Sequence, residues 1–236
     1  MKIIQGLYQF AIALPILLVL TLFTAVTTIL FSHWKNAWWL HHIQAFWSRC
    51  FCYLFFIPTD VTGTENIQHG ESYVFVSNHQ SMFDIFMIYG WLPVIFKWLM
   101  KKELRRIPFV GWACQCAGHI FVDRGHARAA QSSLVGIEKQ LNNGICTVIF
   151  PEGTRSKDGQ IGPFKRGAFQ IAWDLKLKVI PLSLTGCYEV LPKGQFLISR
   201  HPIRMTIGTP IDLDHFNDPQ EAIAAVREAV ITGCRQ

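Results

Sequence analysis

A histidine and an aspartate five residues apart are the two side chains in this sequence best suited to acid–base chemistry. His79 and Asp84 lie within residues 78–84, which have the sequence NHQSMFD. A carboxylate that accepts a hydrogen bond from one imidazole nitrogen leaves the other nitrogen available as a base. On a regular helix, five residues turn through about 500°, which would leave the two side chains roughly 140° apart. The pair can therefore meet only if His79 lies in a loop and Asp84 lies in the first turn of the helix after it.

The residues around this pair predict a strand, a loop and a helix in that order. Residues 73–76 are a short apolar run typical of a buried strand, and residues 85–89 are an apolar run that we interpret as a helix. Ser81 and Asp84 have the spacing of a capping box, with Ser81 as the N-cap and Asp84 at the third helical position. His79 would then lie at the carboxyl end of a strand, where open α/β sheets bind ligands.

These residues alone also permit a plainer interpretation of the pair. Asp84 would only cap its helix, and His79 would be an ordinary loop histidine. A zinc site would need a third ligand at metal spacing, and the neighbouring residues supply none. The sequence contains neither the G-x-S-x-G elbow of serine hydrolases nor the G-x-x-x-x-G-K-[ST] motif of a P-loop.

Two further strand ends carry polar groups that suit a phosphate. Residues 120–122 and residues 146–150 predict strands, and a polar loop follows each of them. The polar residues of these two loops are Arg124, Glu152, Gly153, Thr154 and Arg155. Arginine binds phosphate in a bidentate manner, and backbone N–H groups beside glycines add donors. In a mostly parallel sheet, these strand ends and the His79 loop converge on one edge.

Composition favours a membrane over nucleic acid as the surface that this basic chain contacts. The chain has 236 residues, a net charge of +6, 50% hydrophobic residues and only 16% charged residues. Its length allows one sizeable α/β domain with a small appendage. Eight tryptophans and 18 phenylalanines among so few charges favour the membrane. Most of the seven cysteines lie in apolar runs, so we interpret them as buried thiols of a reducing compartment.

The first 58 residues predict a membrane anchor. Residues 7–31 are nearly all apolar and would form a helix about 38 Å long, which is enough to span a bilayer with some tilt. Residues 43–57 form a second apolar segment that Arg49 interrupts, which suits a helix in the interface with a snorkelling arginine. We expect an anchor over residues 1–58 and an α/β domain over residues 59–236. The alternative is that both segments are core helices of one domain.

The rest of the chain predicts mainly scaffold. Further strands are expected at residues 61–64, 179–185 and 204–211, and further helices at residues 127–142, at residues 164–173 and from Asp218 onward. Residues 97–106 hold five basic side chains, including Lys102, among apolar ones. This segment is either a surface for phosphate or anionic lipid or the solvated face of a helix.

Four sequence blocks, in order, resemble those of the HX4D glycerolipid acyltransferases, and specifically the 1-acyl-sn-glycerol-3-phosphate acyltransferases of the bacterial PlsC type. Residues 78–84 match the NHxxxxD block, and residues 118–124, GHIFVDR, resemble the second block, which ends in arginine. Residues 150–156 have the sequence FPEGTRS and match the third block, and residues 179–182, VIPL, resemble the fourth. The resemblance covers roughly residues 60–212.

This resemblance implies a role for each candidate residue. His79 would be the general base that takes the proton from the sn-2 hydroxyl of lysophosphatidic acid, and Asp84 would orient its imidazole. The hydroxyl would attack the acyl thioester directly. Arg124 and the loop from Glu152 to Arg155 would hold the glycerol phosphate, and Lys102 is similar to a family position near that phosphate.

The resemblance also implies substrates and a location. The acyl donor would be acyl-CoA or acyl-carrier-protein, with no cofactor and no metal. The partners would be membrane lipids and lysophosphatidic acid rather than nucleic acid, at a bacterial inner membrane with the active site facing the cytoplasm. Another lysolipid acceptor, a CoA-independent transacylase and a non-catalytic lipid-binding membrane protein are the alternatives. The oligomeric state is left open.

Overall fold

A computed structural model of the chain describes residues 2–34, 37–122, 141 and 144–235. Its described strands form one seven-stranded sheet in the order β1-β7-β6-β2-β5-β3-β4. The strands are β1 (Thr59–Thr62), β2 (Val74–Ser77), β3 (Phe96–Lys101), β4 (Ile120–Val122), β5 (Cys146–Ile149), β6 (Val179–Thr185) and β7 (Ile203–Ile207). All neighbouring pairs are parallel except β6 with β7, which is antiparallel. The prediction of a mostly parallel α/β sheet is confirmed.

Helices flank this sheet and extend beyond it at the amino terminus. They are α1 (Lys2–Tyr8), α2 (Leu14–Phe31), α3 (Ala37–Leu54), α4 (Phe83–Trp91), α5 (Val110–Cys116), α6 (Gln170–Asp174), α7 (Cys187–Val190) and α8 (Pro219–Gly233). A π-helical segment, Gln9–Ala13, joins α1 to α2 just before Pro15. Proline has no N–H to donate, so a local change of helical hydrogen bonding beside it is expected.

Strand β2 shows why the central strands are continuous apolar runs. Its residues are buried on both faces of the sheet. Phe75 packs into the core shared with α3 and α4, whereas Val74 and Val76 pack into the core shared with α8. Successive side chains of a strand point to opposite faces, so a strand covered on both sides needs apolar residues throughout. The strand that leads to His79 is therefore held rigidly from both faces.

Helix α3 packs against α4 and so belongs to the core beside the sheet. The rings of Phe51 and Phe86 stack with their centroids 3.8 Å apart. Arg49 Nε donates to the carbonyl oxygen of Gly90 at 2.6 Å, and its guanidinium lies over the ring of Trp91. The expectation that Arg49 snorkels towards a membrane surface is therefore wrong, because its guanidinium is bound to the last two residues of α4.

The amino-terminal helix has the character expected of a membrane segment. Among the described residues, the helical stretch Ile3–Phe31 is the one long and apolar enough to cross a membrane. Many of its large apolar side chains are exposed, including those of Leu18, Val19 and Phe23. The opposite side of the helix packs on the protein, where Leu17 is buried and Trp47 donates its indole N–H to Thr21.

Other element predictions had mixed outcomes. The strands expected near residues 73–77, 120–122, 146–150 and 179–185 are confirmed as β2, β4, β5 and β6. Residues 164–173 are not one helix, because a 3-10 turn, Arg166–Ala168, precedes the short α6. Residues 97–106 are not a helix face either, since they form most of β3 and a 3-10 helix, Lys102–Arg106. The helix predicted over residues 127–142 lies, apart from Leu141, outside the described residues.

Candidate active site

The loop after β2 brings together the histidine and the aspartate that the sequence singles out. His79 lies in this loop and Asp84 lies in the first turn of α4, as predicted. Nδ1 of His79 is 2.8 Å from Oδ2 of Asp84. The Asp84 side chain is fully buried, whereas 15% of the His79 side chain is exposed. With Nδ1 donating its hydrogen to the carboxylate, Nε2 is the nitrogen left to act as a base.

The carboxylate of Asp84 is fixed by the chain that precedes it. Its Oδ2 also accepts the backbone N–H groups of Gln80 and Ser81, at 2.6 and 2.8 Å. Ser81 Oγ accepts the N–H of Phe83 at 3.2 Å, so the two hydrogen bonds are reciprocal as in a capping box. The helix itself begins at Phe83 with Met82 as its N-cap, one residue later than predicted. Asp84 thus both caps the helix and orients the imidazole, so the two interpretations of this residue are compatible.

The loop after β5 holds the main chain of His79 from both sides. The N–H of His79 donates to Oε1 of Glu152 at 2.8 Å, and the N–H of Ser156 donates to the carbonyl oxygen of His79 at 2.8 Å. The second oxygen of Glu152 accepts the N–H of Gly162 at 2.9 Å. The backbone of the catalytic candidate is therefore positioned by the same loop that was predicted to bind phosphate.

Glu152 itself is a buried carboxylate that faces N–H groups of the protein. Burial raises the pKa of Glu152 above its ordinary value, and its hydrogen bonds from His79 and Gly162 act in the opposite direction. An ionised carboxylate has no hydrogen to offer an anionic phosphate. We therefore assign Glu152 the task of holding the loop, while phosphate contact remains a prediction for its neighbours.

An aromatic stack supports the imidazole from one side. The ring of His79 lies 3.9 Å from the ring of Phe150 at an angle of 11°, and Phe150 in turn stacks on Trp98 of β3. Behind Trp98, its backbone N–H donates to Nδ1 of His119 at 3.3 Å. These contacts fix the plane of the imidazole, so the direction of Nε2 is set before any substrate binds.

The predicted phosphate residues follow neighbouring strands, as expected. Strands β2, β5, β3 and β4 are adjacent and parallel, so their carboxyl ends lie on one edge of the sheet. Arg155 follows β5 and is half-buried, and its guanidinium has no hydrogen bond or ion pair within the described part of the chain. Lys102 opens the 3-10 helix directly after β3. Arg124 follows β4 by two residues but lies outside the described residues.

The structure adds residues that the sequence pattern did not single out as part of the site. The side chain of Asn78 exchanges two hydrogen bonds of 2.9 Å with the backbone of Leu184, which ties the start of the loop to β6. Gln80 donates its side-chain amide to the carbonyl oxygen of Gly159. Lys193 donates to Thr154 and to the backbone of Arg155. Asn78 and Gln80 lie inside the first motif, but Lys193 lies in no motif.

No metal-binding cluster accompanies this arrangement in the part of the chain that the structure describes. No group of three or more histidine, cysteine, aspartate or glutamate side chains there is placed to hold a metal ion. The chemistry that these residues themselves offer is removal of a proton by His79, beside cationic groups suited to an anion.

Comparisons with known proteins agree with this geometry. The family model described as "Acyltransferase" matches residues 58–185. The chain is 36% identical over 173 residues to the chloroplastic 1-acyl-sn-glycerol-3-phosphate acyltransferase BAT2 of Brassica napus, and the match covers 72% of this chain and 50% of the relative. It is 30% identical over 182 residues to the 1-acyl-sn-glycerol-3-phosphate acyltransferase of Saccharomyces cerevisiae, with 74% and 60% covered.

A solved structure matches nearly the whole chain. The crystal structure of the 1-acyl-sn-glycerophosphate (LPA) acyltransferase PlsC from Thermotoga maritima matches with a TM-score of 0.82 and 27% sequence identity, covering 99% of this chain and 96% of that chain. The chain spans about half the length of the curated plant relatives that it matches.

Proposed function

The chain belongs to the acyltransferase family, and from this premise we propose that it transfers an acyl chain from an acyl thioester to the sn-2 hydroxyl of 1-acyl-sn-glycerol-3-phosphate. The product would be phosphatidic acid, a precursor in phospholipid biosynthesis. The donor would be acyl-CoA or acyl-carrier-protein, with no further cofactor. The names of the relatives and of the matching structure support this acceptor.

The observation that carries the proposal is the hydrogen-bonded pair of His79 and the fully buried Asp84 at the carboxyl edge of the sheet. Nε2 of His79 takes the proton of the acceptor hydroxyl while the hydroxyl oxygen attacks the thioester carbonyl carbon. Asp84 stabilises the imidazolium that forms. The carbon–sulfur bond then breaks, and the departing thiolate receives the proton from His79. The acyl group passes directly to the acceptor, so no acyl-enzyme is required.

The loop from Phe150 to Ser156 supports the choice of a phosphate-bearing acceptor. Glu152 and Ser156 hold this loop against the backbone of His79, so Arg155 is carried at a fixed separation from the base. A planar guanidinium suits a phosphate because it donates two parallel hydrogen bonds. We propose that Arg155 binds the acceptor phosphate, with Lys102 and Arg124 as the further cations of the same edge.

We also propose that the protein works at the bacterial inner membrane with its active site facing the cytoplasm. The exposed apolar face of the helical stretch Ile3–Phe31 supports a membrane location. The cytoplasmic side follows from the donor, because acyl-CoA and acyl-carrier-protein are soluble in that compartment.

The deciding experiment is an assay of the purified full-length protein in detergent. Free thiol released from acyl-CoA is followed on addition of lysophosphatidic acid, and the lipid product is identified by its mass. A panel of other lysolipids and a run with acyl-carrier-protein measure the choice of acceptor and donor. Thiol release that depends on lysophosphatidic acid is expected. Acyl exchange between two lipids without any thioester would indicate a transacylase, and binding without turnover would indicate a lipid-binding protein.

A further inference from the structure

Lys193 contacts the loop of residues 150–156, and the two residues before it contact the turn of residues 79–84. It lies in the loop after α7, and its Nζ donates to Thr154 Oγ1 at 3.0 Å and to the carbonyl oxygen of Arg155 at 3.1 Å. Both acceptors belong to the segment that carries the proposed phosphate-binding arginine. The ammonium of Lys193 is therefore at hydrogen-bond distance from the backbone of Arg155 itself.

The two residues before Lys193 are attached to the turn that holds Asp84. Ser81 Oγ donates to the carbonyl oxygen of Leu191 at 2.8 Å, and Ser81 forms an isolated antiparallel bridge with Pro192. Ser81 also donates its backbone N–H to Asp84. The segment of residues 191–193 thus links the turn that holds Asp84 to the loop of Arg155, and the ammonium of Lys193 makes the contact with that loop.

The hydrogen bonds of Lys193 leave part of its binding capacity unused. A lysine ammonium has three N–H donors, of which two are used here. In the part of the chain that the structure describes, its third donor has no acceptor and its charge has no carboxylate partner. The side chain is half-buried, so the charge is not simply dispersed in bulk water. The ammonium is held on the backbone of Arg155, whose guanidinium has no hydrogen bond or ion pair within the described residues. Two such cations on one loop suit an anion with several oxygen atoms.

We propose that Lys193 is an acceptor-binding residue that gives its third N–H and its charge to the phosphate of the lysolipid, and so favours a phosphate monoester over a phosphodiester headgroup. This inference rests on the proposed function. A monoester phosphate carries close to two negative charges near neutral pH, whereas a diester carries one. Two cations from separate segments, Arg155 and Lys193, match the monoester better. The acceptor class is therefore a lysolipid with a terminal phosphate.

The test compares two acceptors and three forms of the full-length protein in detergent. Lysophosphatidic acid is the monoester and lysophosphatidylglycerol is the diester. For Lys193→Met we expect the KM for lysophosphatidic acid to rise roughly tenfold or more, because a charge-assisted contact is lost. The KM for lysophosphatidylglycerol should rise much less, and the KM for acyl-CoA should not change. Lys193→Arg keeps the charge and should recover most of the preference for the monoester.

Equilibrium binding separates recognition from chemistry and from folding. In a His79→Ala background, binding of lysophosphatidic acid should weaken by a similar factor when Lys193→Met is added, while the unfolding temperature in detergent stays within a few degrees. Equal losses of kcat for both acceptors with unchanged KM values would overturn the inference, because they would show that Lys193 only holds the loop. If the wild-type protein acylates neither acceptor, the proposed function fails instead, which is a different result.

Discussion

The loops at the carboxyl edge of the sheet and the outward face of α2 meet opposite requirements. Around His79, the backbone N–H, the backbone carbonyl and Nδ1 are each hydrogen-bonded within the protein. On α2, by contrast, the apolar side chains of Val19 and Phe23 are 66% and 64% exposed. In the first region, the protein itself supplies the hydrogen-bond partners of these polar groups. In the second, the exposed apolar side chains are removed from water only when an apolar phase surrounds them.

The two regions therefore differ in how closely their atomic positions must be fixed. Polar chemistry needs donors and acceptors at fixed distances, so the strand ends are clamped by many local bonds. Attachment to lipid needs only apolar area of sufficient length, so the outward face of α2 can vary in detail. Substitutions at the clamped edge should therefore act on turnover, and substitutions on the outward face of the helix should act on neither turnover nor folding.

The largest effect is expected at His79. Loss of a general base typically lowers the rate by about 10² to 10⁴, and more when the base acts with an orienting partner. His79→Ala keeps the backbone bonds to Glu152 and Ser156, so the fold should survive. We expect acyl transfer to fall by at least that range while the protein remains folded and membrane-bound. Thiol release from acyl-CoA measures the rate, and circular dichroism measures the fold.

Asp84, the hydrogen-bond partner of His79, offers a matched variant for the measurement of the acyl-transfer rate. Asp84→Asn keeps an oxygen that can accept hydrogen bonds but removes the charge that stabilises the imidazolium. It should lower the rate by less than His79→Ala does. A purified His79→Ala protein that retained more than about a tenth of wild-type turnover would contradict the assignment of the base.

The next largest effect is expected at Arg155. One charge-assisted contact to a phosphate contributes roughly 1.5 to 3 kcal/mol, which is about 10- to 150-fold in apparent affinity. Arg155→Ala should raise the KM for lysophosphatidic acid by this factor and leave the KM for acyl-CoA nearly unchanged. Arg155→Lys should recover only part of the loss, because lysine lacks the planar fork. A normal acceptor KM with a damaged donor KM would move this loop to the donor site.

How far the sequence predicts the site depends on the distance along the chain over which a contact acts. His79 and Asp84 are five residues apart, so helix geometry and capping chemistry were enough to predict their contact. The loop of Glu152 was predicted to reach the same edge because parallel strand ends converge. The contact of Lys193 with Thr154 joins residues that share no motif and no element, so nothing in the local pattern indicates it.

The fold predictions failed where basic residues lie within apolar segments, because charge and hydrophobic pattern favour different structures there. In residues 96–99, buried residues alternate with less buried ones as in a strand, but the five basic side chains of residues 97–106 favour a charged surface instead. Arg49 was expected to snorkel because a charge in an apolar run usually seeks water. Its actual partner, the carbonyl oxygen of Gly90, is 41 residues away and follows from the packing of α3 on α4. The division at residue 58 stays a prediction.

A moderate effect on stability is expected at His119, which lies behind the aromatic stack. Burial, with the charge of Lys97 nearby, lowers the pKa of His119 to about 3. An unfolded histidine titrates near 6.5, so the unfolded chain binds the extra proton between these values. Stability should therefore fall as the pH falls through that window. At pH 5 the loss is about 2 kcal/mol, from roughly 1.5 pH units at 1.36 kcal/mol each.

The variant His119→Asn tests this pH dependence. Asparagine keeps an acceptor near the position of Nδ1 for the N–H of Trp98 but cannot take up a proton. It loses the contact with Tyr89, so its stability at pH 7.5 should be lower than that of the wild type. Between pH 7.5 and pH 5, however, it should lose less stability than the wild type does. Equal acid losses in denaturant unfolding of both proteins would show that His119 is not the titrating group.

The smallest effect is expected on the outward face of α2. Val19→Ala removes apolar atoms that are mostly exposed, so unfolding in detergent should change by no more than about 0.5 kcal/mol. Leu17→Ala is the matched control on the same helix, because Leu17 is only 2% exposed, and a buried leucine truncated to alanine costs about 2 to 5 kcal/mol. Unfolding followed by near-UV circular dichroism compares the two. If Val19→Ala proved as costly as Leu17→Ala, protein rather than lipid or detergent would cover this face, and a concentration-dependent unfolding midpoint would then identify a second copy of the chain as the cover.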